Sequence, residues 1–184
     1  MILPIILGVV GVVVAAFIIL VAMKRPDFRI ERSATIAATP QAVFEQVNDF
    51  RKWRAWSPWE KRDPLLRRTY EGAPAGRGAV YSWIGNKQVG EGRMTITESR
   101  PGELVRIRLE FIKPFAATNT AEFTFQPQGD QTRVTWSMSG THTFVMRAFC
   151  MFMNMDKLVG GDFEKGLAAM KLVAERPTTE PALA

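Results

Sequence analysis

The stretch that most constrains the fold of this chain is residues 39–59, which reads as a short helix followed by a tryptophan-rich turn. Thr39 is a residue type that caps helix N-termini, and Pro40 suits the first helical position, where its missing N–H costs nothing. We expect the helix to end near residues 48–49. Its apolar face is predicted from residues at helical spacing, namely Val43, Phe44 and Val47.

Three tryptophans follow at intervals of three residues, at Trp53, Trp56 and Trp59. Pro58 disfavours a helical conformation at the residue before it, so the turn should end there. The tryptophans suit core packing, the rim of a cavity or a membrane interface, where Trp is enriched. A helix and turn of this kind, placed after a first strand, can plug one end of a curved sheet.

Apolar and polar residues alternate along most of the remaining chain, which predicts an antiparallel meander. The predicted strands are residues 28–37, 67–71, 79–84, 92–99, 104–112, 117–126 and 132–140. Beyond residue 143 the period becomes helical. We expect Gly160 and Gly161 to interrupt this region and Asp162 to cap a final helix. That helix should present one apolar face, formed by Phe163, Leu167, Met170 and Ala174.

Four short motifs resemble the SRPBCC superfamily of START-like and birch-allergen-like proteins, most closely its bacterial polyketide cyclase/dehydrase branch. They are Thr39-Pro-Gln-Ala-Val-Phe44, Trp53-Arg-Ala-Trp-Ser-Pro-Trp59, and the stretches at residues 89–99 and 155–165. The resemblance covers roughly residues 28–174 and implies an α+β helix-grip fold. Such a fold is a curved antiparallel sheet of about seven strands wrapped around a long C-terminal helix.

A bent sheet of this kind cannot fill its concave face with strand side chains alone, so a cavity is expected between the sheet and the last helix. Such pockets are mostly apolar, with few polar groups. The alternative is that the same side chains simply pack together as core. The candidate ligand-binding residues are Tyr81, Trp83, Met94, Ile96, Leu109, Phe111, Phe123, Phe125, Trp136, Met138, Phe163, Leu167 and Met170.

The N-terminal run from Ile2 to Met23 has no charged side chain. As a helix it is roughly 33 Å long, close to the hydrocarbon thickness of a bilayer. A cleaved signal peptide would need basic residues before the run, a shorter apolar core and an Ala-x-Ala site. We therefore expect a retained single-pass anchor in residues 1–25, a helix-grip domain in residues 26–176 and a disordered tail in residues 177–184.

Basic residues follow the apolar run, which places the C-terminal domain on the cytoplasmic side of a bacterial inner membrane by the positive-inside rule. They are Lys24, Arg25, Arg29 and Arg32. The net charge of +6 and the pI near 9.8 suit an acidic partner such as anionic lipid. Nucleic acid is disfavoured, because no predicted helix carries a basic face. The single cysteine, Cys150, excludes an intrachain disulfide.

The segment at residues 144–155 is unusually dense in phenylalanine and methionine. Methionine is flexible and polarizable, so the segment suits a lid over the cavity. It also suits a membrane interface, to which the anchor would hold it close. The third alternative is the first part of a broken core helix.

Residues suited to catalysis are few, and no cofactor or metal site is predicted. His142 is the only histidine and lacks a nucleophile–acid pattern around it. A strand carboxylate facing the cavity would suit a general base, but Glu110 and Glu122 alternate away from the apolar face. Glu91 and Glu98 are the other strand carboxylates. A charged loop supplies cations that face either anionic lipid or water, namely Lys61, Arg62, Arg67 and Arg68.

Three functions fit this sequence. The favoured one is a membrane-tethered, non-catalytic binding protein for a lipid or other hydrophobic small molecule. The resemblance also implies an enzyme of the cyclase/dehydrase type, in which a carboxylate would transfer a proton. The third is an accessory subunit of a membrane complex, with the helix-grip domain as its interaction module.

Overall fold

The computed structural model describes residues 2–176, which form four α-helices, one 3₁₀ turn and seven strands. The predicted tail at residues 177–184 lies outside the described residues. The helices are α1 (Ile2–Met23), α2 (Pro40–Asn48), α3 (Phe144–Cys150) and α4 (Met155–Ala174), and the 3₁₀ turn is Lys52–Ala55. The strands are β1 (Asp27–Ile36), β2 (Arg67–Gly72), β3 (Ala79–Ile84), β4 (Glu91–Arg100), β5 (Leu104–Lys113), β6 (Ala117–Gln128) and β7 (Gln131–Thr141).

The strands form one antiparallel sheet in the order β1-β7-β6-β5-β4-β3-β2. Strands β2 to β7 are a meander, and β1 joins the sheet beside the last strand. The pairing of β4 with β5 shifts register between Ile96 and Glu98, and bulges of this kind increase local bending. The predicted α+β helix-grip fold is confirmed, with every strand within three residues of its predicted ends.

Helix α2 forms as the sequence predicts. The Thr39 side chain accepts a hydrogen bond from the Ala42 N–H at 3.3 Å, and the helix ends at Asn48. Its final carbonyls, which lack intrahelical partners, accept indole hydrogens: Trp53 donates to Val47 at 2.9 Å and Trp56 donates to Gln46 at 3.0 Å. The tryptophan-rich turn therefore closes α2 as well as filling the core.

The predicted start of the last helix at Asp162 is wrong. Helix α4 begins at Met155, where Asn154 caps it by accepting from the Lys157 N–H at 2.9 Å, and it continues through both glycines. A Cβ on Gly160 would meet the guanidinium of Arg32, so the glycine leaves room for this β1 side chain to pair with Asp156 and Glu164 of α4. The predicted apolar face is present, with Phe163, Leu167 and Met170 buried.

Helix α1 protrudes from the domain. Its side chains are exposed from Leu3 to Ala16, and only Phe17 and Val21 are partly or fully covered. Residues Leu3–Met23 have a mean hydropathy of 3.2, and this is the one described helix long and apolar enough to cross a membrane.

Two glycines of α4 provide a matched test of how this helix packs. A Cβ on Gly161 would meet nothing within 4 Å, whereas one on Gly166 would lie 2.7 Å from Cζ3 of Trp136. Gly161→Ala should raise the free energy of unfolding by about 0.5–1 kcal/mol through helix propensity. Gly166→Ala should lower it by about 1–3 kcal/mol, because the indole cannot yield without repacking. Thermal unfolding of the detergent-solubilised full chain measures both, and equal shifts would contradict this packing.

Candidate functional site

A cavity of about 310 Å³ lies between the concave face of the sheet, the first turns of α4 and the segment that follows the 3₁₀ turn. The sheet supplies the largest part of its wall. Helix α4 contributes Leu158, Val159, Asp162 and Phe163. The segment before β2 and the β3–β4 loop contribute Trp53, Ser57, Trp59, Glu60, Arg62, Leu66, Gln88 and Val89. The expected space under the last helix is therefore present.

The structure places eight of the thirteen candidate residues in the wall of this cavity. They are Tyr81, Trp83, Met94, Leu109, Phe111, Trp136, Met138 and Phe163. The other five lie in the packed core instead of the wall: Ile96, Phe123, Phe125, Leu167 and Met170. Strand alternation identifies the concave face but does not tell where α2 and the tryptophan turn cover it, and Phe44 of α2 packs against Phe125 with ring centroids 5.8 Å apart.

An aromatic stack supplies Trp136 and Phe163 to the cavity wall. The Trp136 indole lies parallel to the Phe163 ring, at a centroid distance of 4.2 Å and an angle of 8°. On the same strand pair, Phe123 stacks against Trp136 at 4.7 Å. Trp53 and Trp56 are buried in the core, and Trp59 packs edge-on against Trp136 at 5.6 Å. Core packing therefore accounts for Trp56, whereas Trp53 and Trp59 also line the cavity.

The main polar group of the cavity is Glu60, which sequence reasoning missed. Its Oε1 accepts a hydrogen bond from the Tyr81 hydroxyl at 2.9 Å, and its Oε2 accepts one from Nε of Arg68 at 2.8 Å. The side chains of Glu60 and Arg68 are only 8% and 19% exposed. Glu60 lies in a loop that has no helical or strand periodicity. The one sequence feature that pointed to this region is the adjacent Trp59, in the predicted turn.

The Tyr81 phenol remains a hydrogen-bond donor over the whole physiological range. Burial raises its pKa well above the ordinary value, and the negative charge and hydrogen bond of Glu60 raise it further. An ionised phenol would have to face that carboxylate without a proton between them. Tyr81 and Glu60 therefore form a fixed polar point in a mainly apolar wall, whose other polar residues are Ser57, Arg62, Gln88 and Asp162.

A second ion pair bridges the two sides of the cavity. Arg62 Nη2 lies 2.5 Å from Oδ1 of Asp162, so the charged loop is tied to α4. The adjacent Asp63 is buried and accepts from the backbone N–H groups of Leu65 and Asn86, at 2.9 and 2.6 Å. Arg62 and Arg68 thus pair with acids of the domain instead of standing free, whereas Lys61 and Arg67 are exposed.

The remaining chemical candidates lie outside the cavity wall. His142 stacks on Phe28 with ring centroids 4.2 Å apart, and its Nδ1 is 3.8 Å from the Cys150 sulfur. Burial lowers the pKa of His142 and raises that of Cys150. Glu110 and Glu122 pair with Arg108 and Arg106, at 2.9 Å in each case. Among residues 2–176, no group of three or more His, Cys, Asp or Glu side chains converges as a metal site would require.

A curved antiparallel sheet closed by a C-terminal helix, with an apolar cavity between them, defines the helix-grip class of α+β proteins. The model of the family described as "Polyketide cyclase / dehydrase and lipid transport" matches residues 27–175, and the chain belongs to this family. The family to which the motifs pointed is therefore confirmed. A comparison with curated proteins found no significant match.

Several solved structures share the fold at low sequence identity. SA2116 from Staphylococcus aureus is 14% identical, with a TM-score of 0.62 over 85% of this chain and 99% of that one. CV1439 from Chromobacterium violaceum is 13% identical, with a TM-score of 0.58 over 80% and 98%. The di-domain ARO/CYC StfQ from the steffimycin biosynthetic pathway is 13% identical, with a TM-score of 0.58 over 81% of this chain and 51% of StfQ. At these identities the similarity shows the fold.

Replacing the cavity carboxylate tests how tightly this polar point is held. Glu60→Gln leaves the partly buried Arg68 without a counter-charge, and breaking such a pair costs on the order of 3 kcal/mol of unfolding free energy. The control is Glu31→Gln, which removes an exposed pair in which Arg29 and Glu31 lie 2.7 Å apart and should cost less than about 1 kcal/mol. Denaturant unfolding compares them, and similar losses would contradict the buried environment of Glu60.

Proposed function

We propose that this protein binds a lipid or another hydrophobic small molecule in the cavity, while α1 anchors it in a membrane. The observation that carries the proposal is the 310 Å³ space, which is walled mainly by aromatic and aliphatic side chains and carries two polar pairs, Glu60 with Tyr81 and Arg62 with Asp162. Apolar surface removed from water supplies the binding free energy, at about 25 cal/mol per Å². The family description, which includes lipid transport, supports this proposal.

The size and polarity of the cavity favour one kind of ligand. Its volume is near the lower end of the roughly 300–1,000 Å³ typical of small-molecule pockets. A slender chain or a compact ring system suits it better than the whole apolar part of a two-chain lipid. The oxygens of Glu60 keep acceptor capacity beyond the bonds from Tyr81 and Arg68. A ligand with one hydroxyl or other donor on an apolar body therefore fits.

The membrane part of the proposal rests on the length and composition of α1. The cations that follow it, beginning with Lys24 and Arg25, favour a cytoplasmic location for the domain at a bacterial inner membrane. Anchoring would hold the cavity beside the phase in which a hydrophobic ligand accumulates.

A cyclase/dehydrase-type enzyme is the second candidate, because a carboxylate lies in the cavity wall beside a phenol. A proton-transfer role would require Glu60 to reach a bound substrate directly. StfQ, a similar structure, is described as an ARO/CYC protein. A co-purified molecule whose mass changes with time in the parent protein, but not in Glu60→Gln, would favour the enzyme.

Filling the cavity should abolish ligand binding without unfolding the domain. Ala121 lines the cavity, so Ala121→Leu adds bulk inside it, whereas Thr120→Leu adds similar bulk to the exposed face of the same strand. Native mass spectrometry of the detergent-extracted protein should show a ligand-sized adduct in the parent and in Thr120→Leu, and a much smaller one in Ala121→Leu. An equal adduct in both variants, or none in the parent, would contradict cavity binding.

The orientation of the anchor can be tested with reporters fused to the C-terminus in a bacterial host. A green fluorescent protein fusion should fluoresce and an alkaline phosphatase fusion should be inactive, because both results indicate a cytoplasmic C-terminus. Lys24→Glu combined with Arg25→Glu should weaken this bias, since basic residues next to the span set the orientation. Active phosphatase in the parent fusion would reverse the assignment.

A further inference from the structure

The exposed apolar side chains of the domain are concentrated at one end of the sheet. This end, called the α1 end, is where β1 and β4 begin and β3, β5 and β7 finish. Within residues 24–176, every large apolar side chain that is more than a third exposed lies there, apart from Leu172 at the far end of α4. They include Ile84, Phe115, Phe144, Phe149, Phe152 and Leu158.

The densest part of this surface is α3 and the turn after it, and this part packs directly against α1. The rings of Phe17 and Phe152 are stacked with their centroids 6.1 Å apart. Val21, one helical turn after Phe17, is fully buried. Phe152 itself is 79% exposed, so its ring touches α1 on one side and is otherwise uncovered.

The contact between Phe17 and Phe152 lies near the C-terminal end of α1. Phe17 precedes Met23 by six residues, which is about 9 Å along a helix axis. If α1 spans a bilayer, Phe152 lies at that depth below the end of the span. Interfacial segments bury their apolar faces about 5–10 Å into the headgroup and acyl boundary. The position of α3 beside α1 matches that depth.

The contact is held by a hydrogen-bonded cation. Arg147 of α3 donates through Nη1 to the carbonyl oxygens of Lys24 at 3.0 Å and Ala22 at 3.3 Å. These carbonyls lie at the C-terminus of α1, where helices leave acceptors without partners and where positive charge is favourable. The orientation of the domain relative to α1 is therefore set by specific bonds and not by a loose linker.

The cavity-lining residues that are exposed lie at the same end. Two of its lining residues, Gln88 and Leu158, are exposed, and they lie in the β3–β4 loop and the first turn of α4. Exposed cations at this end suit anionic headgroups, because the negative potential of a membrane surface attracts basic side chains. They include Lys24, Arg25, Lys61, Lys87 and Lys157.

We propose that the α1 end is immersed in the membrane interface, so that the mouth of the cavity opens into the bilayer and not into water. The occupant of the exposed apolar surface is then lipid. This inference rests on the proposed function for the identity of the ligand class and narrows it: the ligand is a molecule already dissolved in the membrane, which enters without crossing water.

Site-specific fluorescence tests the immersion. In a Cys150→Ser background, nitrobenzoxadiazole is attached to single cysteines at the α1 end (Phe115→Cys, Phe152→Cys and Leu158→Cys). The controls are Ala75→Cys and Asp130→Cys, exposed positions in turns at the opposite end. The full-length protein is reconstituted in phosphatidylcholine–phosphatidylglycerol vesicles, with and without doxyl-labelled lipid.

The expected result is a blue-shifted emission and a loss of fluorescence with doxyl lipid for all three α1-end probes, and neither change for the two controls. Emission as in water at Phe115→Cys and Phe152→Cys would overturn the proposal. A blue shift without quenching would also overturn it, because the surface would then be covered by protein, such as a second copy. Quenching at these two positions but not at Leu158→Cys would overturn the placement of the mouth.

This test is independent of whether the cavity is filled. Near-ultraviolet circular dichroism of each labelled variant establishes that the aromatic core is intact. Quenching without any adduct in native mass spectrometry would leave the immersed end standing and remove the ligand. An adduct without quenching would do the reverse.

Discussion

The stack of Trp136 between Phe123 and Phe163 is the contact on which the rest of the structure depends. It joins three parts of the domain at one point: the neighbouring strands β6 and β7, the last helix and, through Trp53 and Trp59, the tryptophan-rich turn that follows α2. The approach of α4 is possible only because Gly166 presents no side chain to the indole. Because these large aromatic rings pack closely, the sheet has little freedom to flatten. The cavity is the part of the concave side that the rings do not fill.

The segment between α2 and β2 covers part of the concave face with apolar side chains. It also carries the charged groups that hold it in place, and these supply the polar part of the cavity wall. Glu60 and Arg62 extend from the same loop, one inward to Tyr81 and Arg68 and the other across to Asp162 on α4. These ion pairs connect the loop before β2 to both the sheet and the helix. The side chains that supply the polar part of the cavity wall are thus the same ones that hold this loop over the cavity.

The exposed apolar surface of the domain is concentrated at the end from which α1 extends. Antiparallel strands place alternate loops at opposite ends, and the chain leaves α1 at one of them. That end carries the phenylalanines and methionines of α3, while Leu172 is the one exposed large apolar side chain at the opposite end of the described domain. Helix α3 is neither a broken core helix nor a closed lid: it has no buried residue, and it packs beside α1.

Local patterns were sufficient to predict the elements of this fold. Alternation and helical spacing depend on neighbours along the chain, so the strands, α2 and the buried face of α4 could be predicted, together with the apolar run of α1. The start of α4 could not be predicted, because two adjacent glycines, Gly160 and Gly161, are typical of a helix break. Only the structure shows that Arg32, from a distant strand, packs against Gly160. The sequence also does not show which residues of the concave face line the cavity and which are covered by α2 and the tryptophan-rich turn. Phe123 and Trp136 are directly paired across neighbouring strands, yet only Trp136 lines the cavity, because what covers a sheet face is decided by packing between elements far apart in sequence.

Glu60 shows the same limit: its role comes from Tyr81 and Arg68, and nothing in the spacing of a loop carboxylate indicates which partners the folded chain will bring to it.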